Sequence, residues 1–352
     1  MRQESLAFLK KLLSTPSPSG FETKIQKICR DYADPYVDEI YKDVHGNQFA
    51  VRNPKGALRV MLAGHVDEIA LMINHVDDKG YLGFVAIGGI DASVLDGQRV
   101  DIHTEKGALA GVIGRRAIHL TDEADRGKPL VLHKLWIDIG AKNKKEAQQH
   151  VAIGDPATIA VGHLALLNGR MVARAMDDRI GAFVILEAMR LIAGKKIDCA
   201  VYCVTTVQEE IGLRGAATSA YGCNPHMGIA VDVSHATDHP DCDSKRFGFF
   251  ELDAGPMISR GPNINPKLAG QLVAVAKKKK IPYQMEAAPR GTGTDANAIQ
   301  LSRGGVATAL ISVPNRYMHS PVEMISLKDA ENCAKLIAEW ILTVRASMNF
   351  IP

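Results

Sequence analysis

Two adjacent carboxylates, Glu209 and Glu210, close the apolar run 201–208 and open the stretch Glu-Glu-Ile-Gly-Leu-Arg-Gly. Neighbouring side chains on extended backbone point in different directions. One carboxylate can therefore bind a metal while the other faces a substrate or water. Buried carboxylates are expensive unless paired or metal-bound. Taken alone, the pair is equally a strand that has simply reached solvent.

Four other sites share the pattern of an apolar run leading to a metal-binding side chain. Residues 60–68 end in His65-Val-Asp67-Glu68. A metal-bound imidazole usually donates its second ring N–H to a carboxylate, so His65 reads as a ligand and Asp67 as its orienting partner. Residues 172–179 carry Asp177 and Asp178 just before the amphipathic stretch 180–192, where Asp178 reads equally as a helix cap. Residues 227–232 read as an apolar strand ending in Asp232, and 309–314 as a strand leading into a loop with His319. In open α/β sheets ligands bind outside the carboxyl ends of the strands. Five such ends can aim His65, Asp177, Glu209 with Glu210, Asp232 and His319 into one crevice. Two imidazoles with several carboxylates suit Zn²⁺ or a similar divalent ion. The donor surplus over one tetrahedral zinc points to two metals about 3.5–4 Å apart with a shared carboxylate.

At these residues the chain resembles the dinuclear-metal aminopeptidases that assemble into hollow tetrahedral dodecamers, within the co-catalytic zinc exopeptidases. The matching stretches are 17–22 (Ser-Pro-Ser-Gly-Phe-Glu), 63–68 (Ala-Gly-His-Val-Asp-Glu), 175–181 (Ala-Met-Asp-Asp-Arg-Ile-Gly), 208–215 (Gln-Glu-Glu-Ile-Gly-Leu-Arg-Gly), 231–233 (Val-Asp-Val), 293–296 (Gly-Thr-Asp-Ala) and 318–321 (Met-His-Ser-Pro). Each is weak by itself; in order along nearly the whole chain they are specific. The resemblance implies that Asp177 bridges both metals, that His65 and Asp232 complete one site, and that Glu210 and His319 complete the other. It makes Glu209 the general base, Asp67 the support of His65, and Zn²⁺ or Co²⁺, with Mn²⁺ as a further option, the metal pair. It also implies peptide substrates with a free N-terminus. Asp295 either shapes the substrate site or caps the helix after it. His235, His239 and Cys242 match no closed zinc motif and read as loop residues beside the site.

An amidohydrolase that removes acyl groups from small molecules with the same two-metal chemistry is the alternative activity. A glycoside hydrolase fits poorly, because Glu209 and Glu210 are adjacent and that chemistry needs no metal. A non-catalytic metal protein has no use for a base such as Glu209 beside its ligands.

The chain has 352 residues, 46% hydrophobic and 23% charged, with a formal net charge of +3, as in soluble globular proteins. That charge is too small to argue for nucleic acid or membrane as partner. The run 277–280 of four lysines suits the C-terminal dipole of a helix starting at Pro266. Six cysteines without a CxxC pair point to a reducing compartment. No signal peptide is visible and no apolar stretch approaches the roughly 20 residues of a membrane span, so a cytoplasmic protein is expected.

Residues 1–69 read as two helices then three strands, and 166–352 as alternating strands and helices ending in a helix near 327–344. Such alternation predicts an α/β fold with a mixed central sheet covered by helices. Residues 70–165 instead hold short β-rich pieces broken by Gly and Asp, with one short helix near 144–150, which predicts an inserted β-barrel-like domain. The resemblance makes 1–69 with 166–352 the catalytic domain, and 70–165 the module for dimers and a dodecamer.

Overall fold

A computed structural model describes residues 1–123 and 126–352. Its chain opens with α1 (Gln3–Leu13) and α2 (Thr23–Ala33), then β1 (Glu39–Lys42), β2 (Gln48–Arg52) and β3 (Arg59–His65). Next come β4 (Ala70–Val76), β5 (Leu82–Ile87), β6 (Arg99–Thr104), β7 (Gly107–Gly114), β8 (Trp136–Asp138), the short α3 (Lys144–Ala147) and β9 (Pro156–Ile159). Then follow β10 (Leu164–Leu166), β11 (Arg170–Ala173), α4 (Met176–Ile192), β12 (Ala200–Thr206), α5 (Arg214–Cys223), β13 (Met227–His235), α6 (Ser244–Phe247) and β14 (Met257–Arg260). The chain closes with α7 (Pro266–Lys279), β15 (Gln284–Ala287), α8 (Asp295–Gln300), β16 (Ala307–Arg316), β17 (Glu323–Ser326) and α9 (Leu327–Ile341).

Among the described residues, eleven strands form one mixed sheet, with β1-β2-β12-β3-β13-β16-β17-β11-β10 along its main path and β14 and β15 branching from β16. The four central strands β12, β3, β13 and β16 are mutually parallel. Their runs of Val, Ile, Leu and Ala are buried on both faces, as parallel strands covered by helices must be. Under one face lies α4, apolar almost all round and buried along nearly its whole length. It packs on β3 and β13 and against α9 and α1. The opposite face is closed by α5 and α8, which pack on Met61, Ala63 and Leu310.

Local signals set the helix ends. Asn265 caps α7 by accepting hydrogen bonds from the Lys267 and Leu268 N–H groups, with Pro266 in the first turn, where its missing N–H is harmless. Ser326 caps α9 in the same way through the Lys328 N–H.

Strands β4-β5-β8-β7-β6-β9 close a separate six-stranded barrel around Leu71, Ile73, Leu82, Val100, Ile102 and Ile137. Closure leaves no open edge. Sequence reading missed β8, a strand of only three residues. The next strand, β10, already pairs with β11 in the large sheet. No helix among the described residues is long and apolar enough to cross a membrane.

Candidate metal centre

Two glycines let the central helix start against the central strand. A Cβ on Gly64 of β3 would lie 2.7 Å from the backbone between Gly181 and Ala182 of α4. A Cβ on Gly181 would lie 2.3 Å from both carboxylate oxygens of Asp178. With no Cβ at either position, Asp178 fits between the two elements. Its Oδ1 accepts the Gly181 N–H at 2.9 Å and its Oδ2 the His65 N–H at 3.2 Å. Asp178 thus ties the first turn of α4 to the last residue of β3. A cis peptide bond joins Asp177 to Asp178.

Asp177 stands between two imidazoles. Its Oδ1 lies 3.1 Å from His65 Nε2 and its Oδ2 3.3 Å from His319 Nε2. His319 Nε2 is also 3.7 Å from Glu210 Oε2, and His65 Nε2 is 3.8 Å from Glu209 Oε2. On its other side, His65 Nδ1 faces the Asp67 carbonyl at 3.3 Å and its Oδ1 at 3.4 Å. A proton on Nδ1 shared with Asp67 leaves the Nε2 lone pair facing the cluster.

Asp67 is held in turn. It accepts the Ser19 hydroxyl at 2.7 Å and the backbone N–H groups of Glu209 and Glu210 at 3.0 and 3.2 Å. One buried carboxylate therefore orients the histidine and the turn that presents both glutamates. Ala175, Gln208 and His319, each at or within two residues of a candidate ligand, have left-handed backbone with φ of 55°, 55° and 58°. Non-glycine residues adopt this conformation where surrounding structure enforces it, often at functional sites.

Asp232 does not end its strand, contrary to the sequence reading. Strand β13 continues to His235, and Asp232 pairs in register with Ser312 of β16. Pairing between β13 and β3 stops at Ala230, so Asp232 sits where the two strands part and a crevice opens. Nor does Asp177 follow a parallel strand: β11 before it is antiparallel to β17, and the start of α4 supplies the residue. Asp295 is not the cap of α8, since Thr294 takes that place through the Ala296 N–H. Its carboxylate accepts the Thr206 hydroxyl at 2.6 Å, and its other oxygen is buried without a partner. His235, His239 and Cys242 form no group of candidate ligands among the described residues.

Sequence reasoning also missed Glu323. Its Oε2 accepts the Asp177 N–H at 3.1 Å and its Oε1 the His319 N–H at 2.7 Å. It lies four residues past His319 on a strand, a spacing that carries no helical signal. Glu68, in the 63–68 stretch, holds a buried ion cluster with Arg174 and Arg179.

Burial pushes the carboxyl of Glu209 up to about 10, against the pull of His65, with Asp232, Asp295 and Glu210 adding to the rise. Burial likewise raises Glu210 and Asp232, and Asp177 raises both further. For Asp177 burial pushes upward too, but His319 and His65 outweigh it and hold the carboxylate below its usual range. Acids crowded out of water need compensating positive charge.

The side chains fit a cation. Ligand atoms of His65, Asp177 and Glu210 lie within 4.8 Å of one another, as do those of His65, Asp178 and Asp232. Glu210 Oε1 is buried with no hydrogen-bond partner among the described residues. Imidazole with carboxylate suits a borderline divalent ion.

Comparison with known proteins defines the class. Residues 46–336 match the family model of the M42 glutamyl aminopeptidases. The lysyl aminopeptidase of Pyrococcus furiosus is 41% identical over 348 residues, covering 98% of each chain. A TET aminopeptidase from a marine sediment thaumarchaeote superposes with a TM-score of 0.93 at 35% identity, over 97% of this chain and 96% of that one. The TET1 peptidase of Pyrococcus horikoshii, which can assemble into a tetrahedron or a large octahedral shell, gives 0.86 at 33% identity, over 97% and 100%. The chain belongs to the M42 family. It is an aminopeptidase, a hydrolase of peptide bonds in a metal-dependent family.

Proposed function

We propose that this chain removes N-terminal residues from peptides at a two-metal site. The observation that carries the reading is Asp177, with one carboxylate oxygen toward His65 and the other toward His319. Such a carboxylate would bridge two cations. His65 and Asp232 would hold one and Glu210 and His319 the other. Zn²⁺ or Co²⁺ suits these donors, and Mn²⁺ is the third option. Bound divalent ions would lower the pKa of water and polarise the scissile carbonyl.

The remaining work falls to side chains of this protein. Glu209 is buried beside His65 and, among the described residues, holds no ion-pair partner other than that ring. We assign it the transfer of the attacking water's proton to the departing amine. Asp67 positions both His65 and the backbone of Glu209. A small cavity of about 30 Å³ lined by Asp177, Glu210, His319 and the barrel residues Leu71, Ile90, Ala157 and Ile159 supports a barrel that walls one side of the site.

Residues 70–165 then serve as the assembly module of a dodecamer built from dimers. Exposed Ile118, Leu120 and Val131 in that segment and the shells of the TET1 relative support this. Cysteines that are all free, five of them buried, support a cytoplasmic setting.

The test uses metal-stripped protein reloaded with Zn²⁺, Co²⁺ or Mn²⁺ on aminoacyl-p-nitroanilides and peptides, with N-acetylated peptides in parallel. The reading expects metal-restored release of N-terminal residues that acetylation blocks. Cleavage confined to acylated substrates would make the protein a deacylase instead. Glu209→Gln should retain metal and lose about 10²–10⁴-fold in kcat; unaltered turnover with full metal would remove Glu209 as the base.

A further inference from the structure

The family description names glutamyl and the Pyrococcus furiosus relative is named lysyl, so membership alone does not choose the residue released. A second cavity beside the metal centre bears on the choice. It holds about 190 Å³ and is lined by Ser234, Glu286, Ala288, Pro289, Leu310 and Ser312, with the 290–294 turn completing it. Strand β13 carries it directly from the centre. Asp232 and Ser234 are two residues apart on one strand and so share a face. They are separated by about 6.6 Å, comparable with the four-carbon stem of lysine.

The far end of this cavity is acidic and pre-set. Glu286 Oε1 accepts the Ser234 hydroxyl at 2.6 Å, and its Oε2 accepts the Ser259 hydroxyl at 2.8 Å. Register places Ser259 directly beside Glu286 on the paired strands β14 and β15. Among the described residues no Lys, Arg or His forms an ion pair with Glu286. Two hydroxyls fix the carboxylate's direction and leave its charge uncompensated. Ser312, opposite Asp232 in register, is fully buried, and its hydroxyl has no hydrogen-bond partner although it lines the cavity. Unpartnered buried hydroxyls are uncommon. Apolar walls from Ala288, Pro289 and Leu310 suit a methylene stem.

We propose that this cavity receives the side chain of the substrate's first residue and that Glu286 selects a basic one, lysine or arginine. The proposal rests on the aminopeptidase reading above and adds the substrate class. Glu286 supplies the counter-charge to the ammonium or guanidinium. Arg290, exposed on the same cavity, is the competing charge; were it dominant, acidic first residues would be favoured.

The experiment compares lysyl, norleucyl and glutamyl p-nitroanilides on metal-loaded protein. Norleucine shares lysine's stem apart from the ammonium. The proposal expects kcat/KM for lysyl to exceed that for norleucyl. In Glu286→Gln the lysyl-to-norleucyl ratio should fall about 10–100-fold, chiefly through KM. Lowering of both substrates in equal proportion would mark Glu286 as structural and overturn the proposal. So would a glutamyl preference abolished by Arg290→Ala. If loaded protein cleaves no aminoacyl substrate, the aminopeptidase reading itself fails. Calorimetry of free L-lysine against L-norleucine then judges the cavity separately, and equal affinities overturn it.

Discussion

Gly64→Ala isolates the claim that close approach of β3 and α4 builds the metal site. The added Cβ would sit 2.7 Å from helix backbone, and ordinary van der Waals contact begins near 3.4 Å. Strand and helix must therefore part by about 0.7 Å, the difference between those distances, and backbone atoms cannot rotate aside as a side chain could. His65 rides on the strand and Asp177 on the helix, 3.1 Å apart. Metal–ligand distances tolerate only about ±0.2 Å, so the movement exceeds what a shared cation absorbs. Divalent-metal affinity should fall about 10–100-fold and kcat/KM about 100-fold. The fold should lose about 1–3 kcal/mol from overpacking. Calorimetric titration of Zn²⁺ into stripped protein, with thermal melting of the same sample, separates lost affinity from lost fold. Gly270→Ala is the control. It lies on the exposed side of α7, where a Cβ meets nothing within 4 Å. It should gain about 0.5–1 kcal/mol, as a helical glycine replaced by alanine does, with metal affinity untouched. A folded Gly64→Ala protein that binds Zn²⁺ and turns over like wild type would refute the reasoning.

Arg179 is fully buried and donates to Glu68, to the Ser17 hydroxyl at 2.8 Å and to the Leu13 carbonyl at 3.2 Å. Arg179→Met should cost about 3–5 kcal/mol in denaturant unfolding, because Glu68 stays buried with one of its two arginines gone; a loss under about 1 kcal/mol would mean that Arg174 and the Ser17 N–H suffice. Burial raises the Asp329 carboxyl to about 6, against hydrogen bonds from the Asp253 and Gly255 N–H groups. The folded state then holds the proton more tightly than the unfolded chain, so this group's contribution is full below about pH 4 and is lost as pH rises through 6. Unfolding free energy of wild type minus that of Asp329→Asn should decrease between those pH values, by on the order of 3 kcal/mol at most. A difference that is flat or rises with pH would show that the two backbone N–H groups stabilise the carboxylate more than burial opposes it.

The parallel core was legible because its strands are buried on both faces and read as unbroken Val, Ile, Leu and Ala, bounded by Gly and charge. The barrel was legible as a change of texture, and its closure was not. Strand β8 spans only Trp136–Asp138, and three residues give no period to read. It completes the ring by pairing with β5 and β7, which is information held by its partners.

The candidate site divides along the same line. His65 and the two glutamates were visible because each lies at or just beyond the end of an apolar run, where a strand must stop. Asp178 and Glu323 were legible only in part: each also accepts a nearby N–H, of Gly181 and of His319, but the bonds that set the site reach N–H groups far away in sequence. Asp178 meets His65 across 113 positions and Glu323 meets Asp177 across 146. A side chain bonded to a neighbour in space leaves no mark in its own spacing. Asp232 shows the limit in sharpest form. Its apolar run reads as though it ends there, yet the strand continues, held on by β16 alone after β3 has gone. What exposes Asp232 to the crevice is the loss of one neighbour. Ser234, two residues further along the same strand, then carries this face of β13 on to the cavity where Glu286 stands.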